Sequence, residues 1–237
     1  MNLENKTVFI TGANGGLGSA FVKEFLNQNV KKIYCSARDI NKLNSLQKLS
    51  NKIELVELDI TNKEQLKSLI SSIGKIDILV NNAGVNSDKR FFDDETVDFD
   101  VNLFGTLNSC RILSENINKD GVIINMSSIL ALINLPIMAL YCASKSALHS
   151  ITQALRAELK IKDISVYEVL PGPIDTDMSK DLQMPKTSPI DIVKATINGL
   201  NSSEYEIYPD SFAKVIKKRL EEDKVNLENE FAQSINN

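Results

Sequence analysis

Histidine, cysteine and tryptophan are scarce in this sequence of 237 residues. It contains one histidine, three cysteines and no tryptophan. The single histidine, His149, argues against a histidine-based metal site and against a Ser-His-Asp triad, because each needs histidine within a fixed constellation of groups. Cys35, Cys110 and Cys142 lack metal-type spacing, and we interpret them as reduced thiols in a reducing compartment. We expect no metal site.

Long apolar runs and an excess of basic residues are also absent. No apolar run approaches the roughly 20 residues that span a bilayer. The N-terminal MNLENKTVFITG lacks the basic segment and long apolar stretch of a signal peptide. The formal net charge of -4 lacks the basic bias of a general nucleic-acid binder. We therefore expect a cytoplasmic protein that binds a small molecule, with neither nucleic acid nor membrane as a partner.

Strand-like and helix-like segments alternate along the chain, and 43% of the residues are hydrophobic, which is enough for one sizeable core. The predicted strands are residues 6–12, 31–37, 53–59, 76–84, 121–128, 164–172 and 204–208. The predicted helices are residues 16–29, 40–49, 61–73 with Thr61 as N-cap, 100–118, 139–161, 189–199 and 211–237. This alternation predicts an α/β Rossmann fold, a doubly wound parallel sheet of about seven strands with helices on both faces. We expect one domain over residues 1–237, with a mobile tail from about residue 225 to 237.

A glycine-rich turn joins the first predicted strand to the first predicted helix. Thr11, Gly12, Gly16 and Gly18 form the pattern T-G-x-x-x-G-x-G. Small residues at a helix N-terminus let a pyrophosphate approach the backbone amides, where the donors and the helix dipole favour negative charge. Glycines also mark ordinary turns, but the strand-turn-helix context indicates a dinucleotide site. The spacing differs from G-x-G-x-x-G and resembles that of the short-chain dehydrogenase/reductase family.

Further motifs of that family follow in its order over almost the whole chain. They are N-N-A-G at 81–84, V-N-x-x-G at 101–105, the serine pair 127–128, Y-x-x-x-K at 141–145 and P-G-x-x-x-T at 171–176. Each lies at the carboxyl end of a predicted strand or on the next helix, where open α/β sheets bind ligands. The segment between Asn82 and Asn102 is shorter than in the family, which predicts that the helix usually found there is cut down.

The resemblance implies an NAD(P)-dependent oxidoreductase whose catalytic residues are Asn102, Ser128, Tyr141 and Lys145. Tyr141 would protonate the developing alkoxide as hydride arrives, and would accept a proton in reverse. Lys145, one turn along the same helix face, would lower the pKa of Tyr141 and bind the nicotinamide ribose. Ser128 would hydrogen-bond the substrate oxygen, and Asn102 would hold a water that links Lys145 to solvent. Each residue alone is better explained by packing, capping or solvation, but together and in register they indicate an active site.

The resemblance also implies which residues contact the cofactor. They are Gly12, Asn14, Gly16, Leu17, Gly18, Arg38, Asp59, Ile60, Asn81, Ala83, Gly84, Tyr141, Lys145, Pro171, Gly172, Ile174 and Thr176. In NAD-dependent members an acidic residue at the end of the second strand binds the ribose hydroxyls. Ala37 stands at that place here, and Arg38 follows it, where a guanidinium can clamp a 2′-phosphate. Asp39 lies nearby and opposes a phosphate, and Arg38 alone resembles any surface arginine. We expect NADP(H) to be favoured, with NAD(H) as the alternative.

Apolar residues flank the expected site. They are Ile129, Leu130, Leu132, Leu135, Met138, Met178, Leu182 and Met184. They predict a pocket for a small or hydrophobic aldehyde or ketone, or the alcohol in reverse, unless they pack in the core. Residues 178–188 would form a short lid, and Phe91 and Phe92 would edge the pocket or fill the core. The resemblance implies a homodimer or homotetramer paired through the helices at 100–118 and 139–161. The physiological substrate, stereospecificity and direction stay open.

Two other functions stay open. One is an NAD-dependent alcohol or hydroxysteroid dehydrogenase that works oxidatively, which cofactor preference would distinguish. The other is a non-catalytic protein that senses redox state by binding a dinucleotide, since fold does not fix function. The complete catalytic set argues against a sensor, which needs no proton donor. Next to this set, we interpret His149 as a packing residue rather than a proton relay, and Cys142 as a buried and inert thiol.

Overall fold

The computed structural model describes residues 2–236, so Met1 and Asn237 of the predicted domain and tail lie outside the described residues. The strands are β1 (Thr7–Ile10), β2 (Lys32–Ala37), β3 (Ile53–Glu57), β4 (Ile76–Asn81), β5 (Ile117–Met126), β6 (Ser165–Val169) and β7 (Glu206–Ile207). The helices are α1 (Gly16–Asn27), α2 (Asn44–Gln47), α3 (Lys63–Ser72), α4 (Thr106–Leu113), α5 (Ala139–Leu159), α6 (Pro189–Ser202), α7 (Ser211–Glu222) and α8 (Lys224–Ala232). The predicted alternation of strands and helices is confirmed.

The strands form one seven-stranded sheet in the order β3-β2-β1-β4-β5-β6-β7. Every pair of neighbours is parallel. The chain therefore runs outward from β1 to one edge and then returns to build the other half from β4. The predicted doubly wound Rossmann fold is confirmed. In such sheets the ligand crevice lies outside the carboxyl ends of the strands, where the order reverses between β1 and β4.

The sheet divides the hydrophobic core into two layers. Val8 and Ile10 of β1 pack with Phe21 and Phe25 of α1 on one face. Phe9, between them in sequence, packs in the other layer, which α3, α4 and α5 cover. Successive side chains of a strand point to opposite faces, and both faces here are covered. The continuous apolar strand runs in the sequence follow from that double burial.

Several element boundaries differ from the predictions. The predicted helix 40–49 is a 3₁₀ turn (Ile40–Leu43) followed by the short α2. The N-cap of α3 is Asn62, whose side chain accepts hydrogen bonds from the Glu64 and Gln65 amides, and not Thr61, whose hydroxyl donates to Asp59. Strand β5 begins earlier than predicted because it contains a bulge. Ile76 of β4 pairs with Ile117 and Ile78 pairs with Val122, so the register shifts and extra residues of β5 lie between these two pairs.

The segment between β4 and the next helix is short, as predicted. Residues 82–96 contain no helix or strand. The predicted helix 100–118 is a π-helical stretch (Phe99–Gly105), then α4, then a 3₁₀ turn (Ser114–Asn116). Such π-helical turns often occur at functional sites.

The C-terminal segment packs on the body of the protein. Ala213 and Ile216 of α7 and Leu227 of α8 form a third cluster with Ile129 and Ile133, just beyond β5. A 3₁₀ turn (Gln233–Asn236) follows α8. The mobility predicted for residues 225–237 stays a prediction. Among residues 2–236, none of the helices combines the length and the apolar character needed to cross a membrane.

Candidate active site

A cleft of about 740 Å³ runs along the carboxyl ends of the central strands. Of the predicted cofactor contacts, all but Asn81 line it; of the predicted catalytic residues, all but Asn102 do. Residues from six separate motifs, far apart in sequence, therefore meet at one place. Asn102 bonds Val85, which does line the cleft, whereas the Asn81 side chain bonds Ser109 and Asn125, which do not.

The glycine-rich turn leaves no room for side chains. Gly12 has a φ of +62°, and a Cβ there would lie 2.8 Å from the Ala83 Cα. At Gly16 a Cβ would lie 2.9 Å from the Thr176 Cγ2, and at Gly18 it would lie 2.3 Å from the Gly12 carbonyl oxygen. The turn is therefore tightly packed, and its glycines line the cleft at the N-terminus of the 12-residue α1. Helix N-termini of this kind favour a phosphate group, so the turn fits the pyrophosphate of a dinucleotide.

Two side chains that the sequence analysis did not assign hold this turn in place. The Thr11 hydroxyl accepts hydrogen bonds from the Asn82 and Ala83 amides, both at 3.0 Å. The Asn82 side chain donates to the Thr11 and Gly12 carbonyl oxygens, at 3.1 and 2.9 Å. The N-N-A-G motif thus holds the glycine turn through its second asparagine. The N-N-A-G motif indicated that these asparagines belong to the site. The sequence does not show, however, which of the two side chains points toward the glycine turn.

The far end of the cleft carries the residues predicted to select the cofactor. Ala37 and Arg38 both line it, and Arg38 is exposed at its rim. The Asp39 carboxylate accepts a hydrogen bond from the Asn41 amide at 3.0 Å and caps the 3₁₀ turn that follows. Within residues 2–236 Arg38 forms no salt bridge, so its guanidinium is available to an anion, while the neighbouring Asp39 has a capping role. Asp59 and Ile60 line the same end, and the Asp59 carboxylate holds the backbone amide of Thr61 at 2.9 Å.

Asn81 belongs to a buried polar row across the sheet. Its side chain donates to Asn125 at 2.9 Å and accepts from the Ser109 hydroxyl at 2.7 Å. Strand register places Asn81 beside Asn125, Asn125 beside Glu168, and Glu168 beside Glu206. This polar row, at one level of four adjacent strands, lies beneath the cleft. The structure therefore does not bring the Asn81 side chain to the predicted cofactor contact.

Tyr141, Ser128 and Lys145 meet on the cleft wall, at the start of α5. The Ser128 and Tyr141 side chains both line the cleft, and the Ser128 hydroxyl accepts a hydrogen bond from the Leu130 amide at 3.1 Å. The Lys145 ammonium lies 5.8 Å from the centre of the Tyr141 ring and donates to the Met126 carbonyl oxygen at 2.8 Å. The helical spacing of four residues places both side chains on one face, as predicted. The phenol, the hydroxyl and the ammonium thus form one cluster that faces the cleft.

Burial shifts the pKa of both catalytic candidates. Desolvation raises the pKa of Tyr141 to about 12, although the Ser128 hydrogen bond lowers it. Desolvation also lowers the pKa of Lys145 to about 8, against the nearby charges of Glu168 and Asp98. The direction for Tyr141 is opposite to that inferred from the Tyr-Lys spacing, because the loss of hydration on burial is the largest influence on the phenol. A protonated phenol at neutral pH is suited to donate a proton.

Asn102 is fully buried in the π-helical stretch. Its side chain accepts from the Val85 amide and donates to the Val85 carbonyl oxygen, both at 2.9 Å. It also donates to the Ser144 hydroxyl at 3.0 Å. Asn102 thus ties the loop after β4 to α5, one residue before Lys145. A Cβ added at Gly84 would lie 3.1 Å from the Asn102 Oδ1 and 3.7 Å from the Lys145 Nζ, so these two groups share one small space.

The end of the cleft beside Tyr141 is mostly apolar. The predicted pocket residues that line it are Ile129, Leu130, Leu135, Met138, Met178, Leu182 and Met184. Leu132 packs instead against the third core cluster. Phe231 and Ser234 of the C-terminal segment also line the cleft. Sequence reasoning missed them, because no local pattern shows where a C-terminal helix docks.

Other residues that were open to two interpretations are now placed. Phe91 and Phe92 pack edge to face on each other and are 75% and 95% exposed, so they neither line the cleft nor fill the core. Cys142 is buried, and desolvation raises its pKa, which keeps it a thiol, as predicted. His149 lies 2.7 Å from the carboxylate of Glu168 instead of serving simply as a packing residue.

The lowered pKa of Lys145 predicts a pH-dependent stability. The folded pKa of about 8 lies below the ordinary value of 10.5, so the unfolded state binds more protons between these values. The wild type should therefore become more stable relative to Lys145→Met as pH rises through this window, by up to about 3 kcal/mol. Below about pH 8 the wild type carries the full cost of burying the charge. Urea unfolding of both proteins at several pH values measures this difference.

The exposed Lys48→Met serves as the control for this experiment, and its curve should run parallel to that of the wild type. A constant difference between wild type and Lys145→Met across the window would mean that Lys145 has an ordinary pKa in the folded protein.

Comparison with known proteins places the chain among oxidoreductases. A family model described as short chain dehydrogenase matches residues 6–187. An uncharacterised oxidoreductase of Staphylococcus saprophyticus is 34% identical over 223 residues, which cover 86% of this chain and 95% of the relative. A 3-oxoacyl-[acyl-carrier-protein] reductase of Rickettsia conorii is 36% identical over 189 residues, which cover 77% of this chain and 78% of the relative.

A solved structure agrees over nearly the full chain. It is a short chain dehydrogenase from Burkholderia cenocepacia in complex with NADP, at 34% identity and a TM-score of 0.91. The alignment covers 98% of this chain and 99% of that one. The family match, the strand order and the cleft point to the same class of protein.

Proposed function

This chain belongs to the short chain dehydrogenase family and is an NAD(P)-dependent oxidoreductase, and on that premise we propose that it reduces a small or hydrophobic aldehyde or ketone with NADPH. The observation that carries this proposal is the cluster of Tyr141, Ser128 and Lys145 on the wall of a cleft that begins at the glycine turn. The apolar residues beside Tyr141 support a carbonyl substrate with little charge.

In this proposal each part of the cofactor contacts a different segment of the cleft. The glycine turn at Gly12, Gly16 and Gly18 would hold the pyrophosphate, since only hydrogen atoms fit at these Cα positions. Asp59 and Ile60 would bind the adenosine, and Ala83, Gly84 and Lys145 the nicotinamide ribose. Pro171, Gly172, Ile174 and Thr176 would contact the carboxamide end. The Gly172 amide is fixed by a 2.8 Å hydrogen bond to the Asp210 carboxylate, so this loop is preorganised.

Arg38 supports NADPH as the preferred cofactor. The place of the acidic residue of NAD-dependent members is taken by Ala37, which leaves no carboxylate to repel a 2′-phosphate there. The Burkholderia cenocepacia relative, in complex with NADP, supports the same preference. NADH remains a usable but weaker cofactor in this proposal.

The proton comes from Tyr141. NADPH, when bound, supplies the hydride for the carbonyl carbon. The Ser128 hydroxyl would hydrogen-bond the carbonyl oxygen and hold it beside the Tyr141 hydroxyl. Tyr141, protonated at neutral pH because burial raises its pKa to about 12, donates its proton to that oxygen as negative charge develops. The product is an alcohol, and the phenolate that remains is stabilised by the Lys145 ammonium until a proton returns. Asn102 positions Lys145 through Ser144 and the loop at Val85.

Cofactor selection tests this proposal most directly. Replacing Arg38 by alanine removes a charge-assisted contact to the 2′-phosphate and leaves the contacts to the rest of the cofactor. NADPH binding should weaken by roughly 1.5–3 kcal/mol, and NADH binding should change little. Titration of the purified protein with each nucleotide, followed by nicotinamide fluorescence, measures both effects.

Arg90→Ala is the matched control, because Arg90 is an exposed arginine outside the cleft. A wild type that binds NADH as well as NADPH would favour the oxidative NAD-dependent dehydrogenase. Binding of NADPH without turnover on a broad panel of aldehydes and ketones would favour the dinucleotide sensor. If neither nucleotide bound, the proposed function would be wrong.

We also propose that the protein acts in the cytoplasm as a single domain and assembles as a homodimer or homotetramer. The side chains available for pairing include Phe104, which is 52% exposed beside α4. Sedimentation velocity would show the assembly state, and a monomer at all concentrations would contradict this part of the proposal.

A further inference from the structure

Three ligand-type side chains converge near the β7 edge of the sheet, where they do not line the cleft. They are His149 on α5, Glu168 on β6 and Glu206 on β7. Potential donor atoms of the three residues all lie within 4.8 Å of one another. None of the three lines the cleft. The cluster, called here the edge cluster, lies outside the cleft, and its link to the machinery proposed above is the charge of Glu168, which acts to raise the pKa of Lys145.

Strand pairing brings the two carboxylates together. Glu168 and Glu206 are register partners in the parallel pair of β6 and β7, so both side chains leave the same face of the sheet. Helix α5 covers that face and places the His149 Nδ1 atom 2.7 Å from the Glu168 Oε2 atom. Residues separated along the chain by almost 60 positions, from 149 to 206, therefore form one compact set of nitrogen and oxygen donors.

Glu168 carries an incompletely satisfied carboxylate. Its side chain is 0% exposed. Its Oε1 atom has no hydrogen-bond partner within residues 2–236. Buried charged groups are normally paired or coordinate a metal ion, because an unsatisfied one is costly. This free oxygen in a closed environment is independent of the clustering itself, and it points to a ligand.

The charge of the edge cluster matches a divalent cation. Two carboxylates and a neutral imidazole sum to a formal charge of about -2. Within the described part of the chain, no lysine or arginine forms a salt bridge with Glu168 or Glu206. Arg156 is close but donates to the Val166 and Tyr205 carbonyl oxygens and stacks on the Tyr205 ring. Arg156 therefore does not neutralise the pair, and Glu206 accepts a hydrogen bond from the neutral Tyr208 hydroxyl at 3.2 Å.

We propose that His149, Glu168 and Glu206 bind a divalent transition-metal ion of the zinc type. Imidazole nitrogen and carboxylate oxygen are both zinc ligands, and a site with three protein ligands takes water as the fourth. Zinc-ligand bonds of roughly 2.0–2.2 Å need donor atoms closer together than the widest separation here, which small side-chain rotations achieve. The Gln153 side-chain amide, 3.1 Å from the His149 Nε2 atom, would orient the imidazole from behind.

Such an ion would join three elements. It would fasten α5, the helix that carries Tyr141 and Lys145, to β6 and to the two-residue edge strand β7. The sequence alone predicts no such site, because one histidine supplies one ligand and the carboxylates come from separate strands. A ligand that binds only the folded protein stabilises it, so zinc should raise the melting temperature.

Calorimetric titration of the metal-free full-length protein with zinc chloride tests the proposal. We expect one ion per chain for the wild type and a rise in melting temperature. Binding should weaken by more than about tenfold in Glu206→Gln and in His149→Gln. Glu204→Gln is the matched control, because this exposed carboxylate lies two residues from Glu206 and bonds Ser202; it should bind zinc like the wild type. Circular dichroism of each variant verifies folding.

Two results would overturn the proposal. One is the absence of zinc binding by the wild type, which would leave His149 and Glu168 as a hydrogen-bonded pair only. The other is equal binding by wild type, Glu206→Gln and His149→Gln, which would place the ion elsewhere. The absorption spectrum of the protein loaded with cobalt in place of zinc identifies the type of ligand. Ligation by Cys35, Cys110 or Cys142 would give a thiolate charge-transfer band, and ligation by nitrogen and oxygen would not.

Discussion

Tyr141→Phe should lower kcat for carbonyl reduction by about 10²- to 10⁴-fold while leaving the affinity for NADPH nearly unchanged. The substitution removes only the phenolic hydroxyl of Tyr141, and keeps the ring in the cleft near the Lys145 ammonium. Hydride transfer to the carbonyl then builds an alkoxide for which no proton donor is in place. Steady-state rates with NADPH and an apolar aldehyde or ketone measure kcat, and a fluorescence titration measures binding.

Tyr205→Phe serves as the matched control, because Tyr205 is half-exposed, packs on Tyr167 and lies outside the cleft. It should keep the wild-type rate. If Tyr141→Phe kept more than roughly a tenth of the wild-type kcat, another group would be the proton donor. If it lost NADPH binding as well, the loss of rate would reflect the cofactor site and not proton transfer.

Gly18→Ala should destabilise the fold by about 3 kcal/mol and abolish NADPH binding. A Cβ at Gly18 would lie 2.3 Å from the Gly12 carbonyl oxygen and 2.8 Å from the Ala13 Cα. Both neighbours are backbone atoms of the same turn, so the new methyl group displaces the turn itself and not a flexible side chain. Urea unfolding gives the change in the free energy of unfolding, and nucleotide titration gives the change in binding.

Gly74→Ala introduces the same methyl group where no atom would lie within 4 Å of it. This control should alter the free energy of unfolding by no more than about 0.5 kcal/mol and should bind NADPH normally. Equal stability and equal binding of the two variants would mean that the turn is looser than the structure shows, and the argument that it holds a pyrophosphate would fail.

Local features of the sequence determined the fold class and the location of the cleft. Apolar strand runs, helical spacing and the glycine turn are short-range patterns, because backbone geometry sets the periods of strand and helix. The spacing from Tyr141 to Lys145 is also a short-range pattern, since residues four positions apart on a helix lie on the same face. The parallel sheet followed from the alternation of strands and helices, because parallel strands need crossover connections.

Contacts between distant segments were decided only by the tertiary structure. The sequence does not tell that Asn82 rather than Asn81 bonds the glycine turn, because a slip of one residue along a strand reverses the side chain's face. Nor does it tell that Phe231 docks at the cleft or that Glu168 meets His149 and Glu206, since these pairs form only when separate elements pack. The raised pKa of Tyr141 was also decided by the tertiary structure, because desolvation depends on every group that surrounds the phenol. The helical spacing in the sequence indicated only one of these neighbours, Lys145.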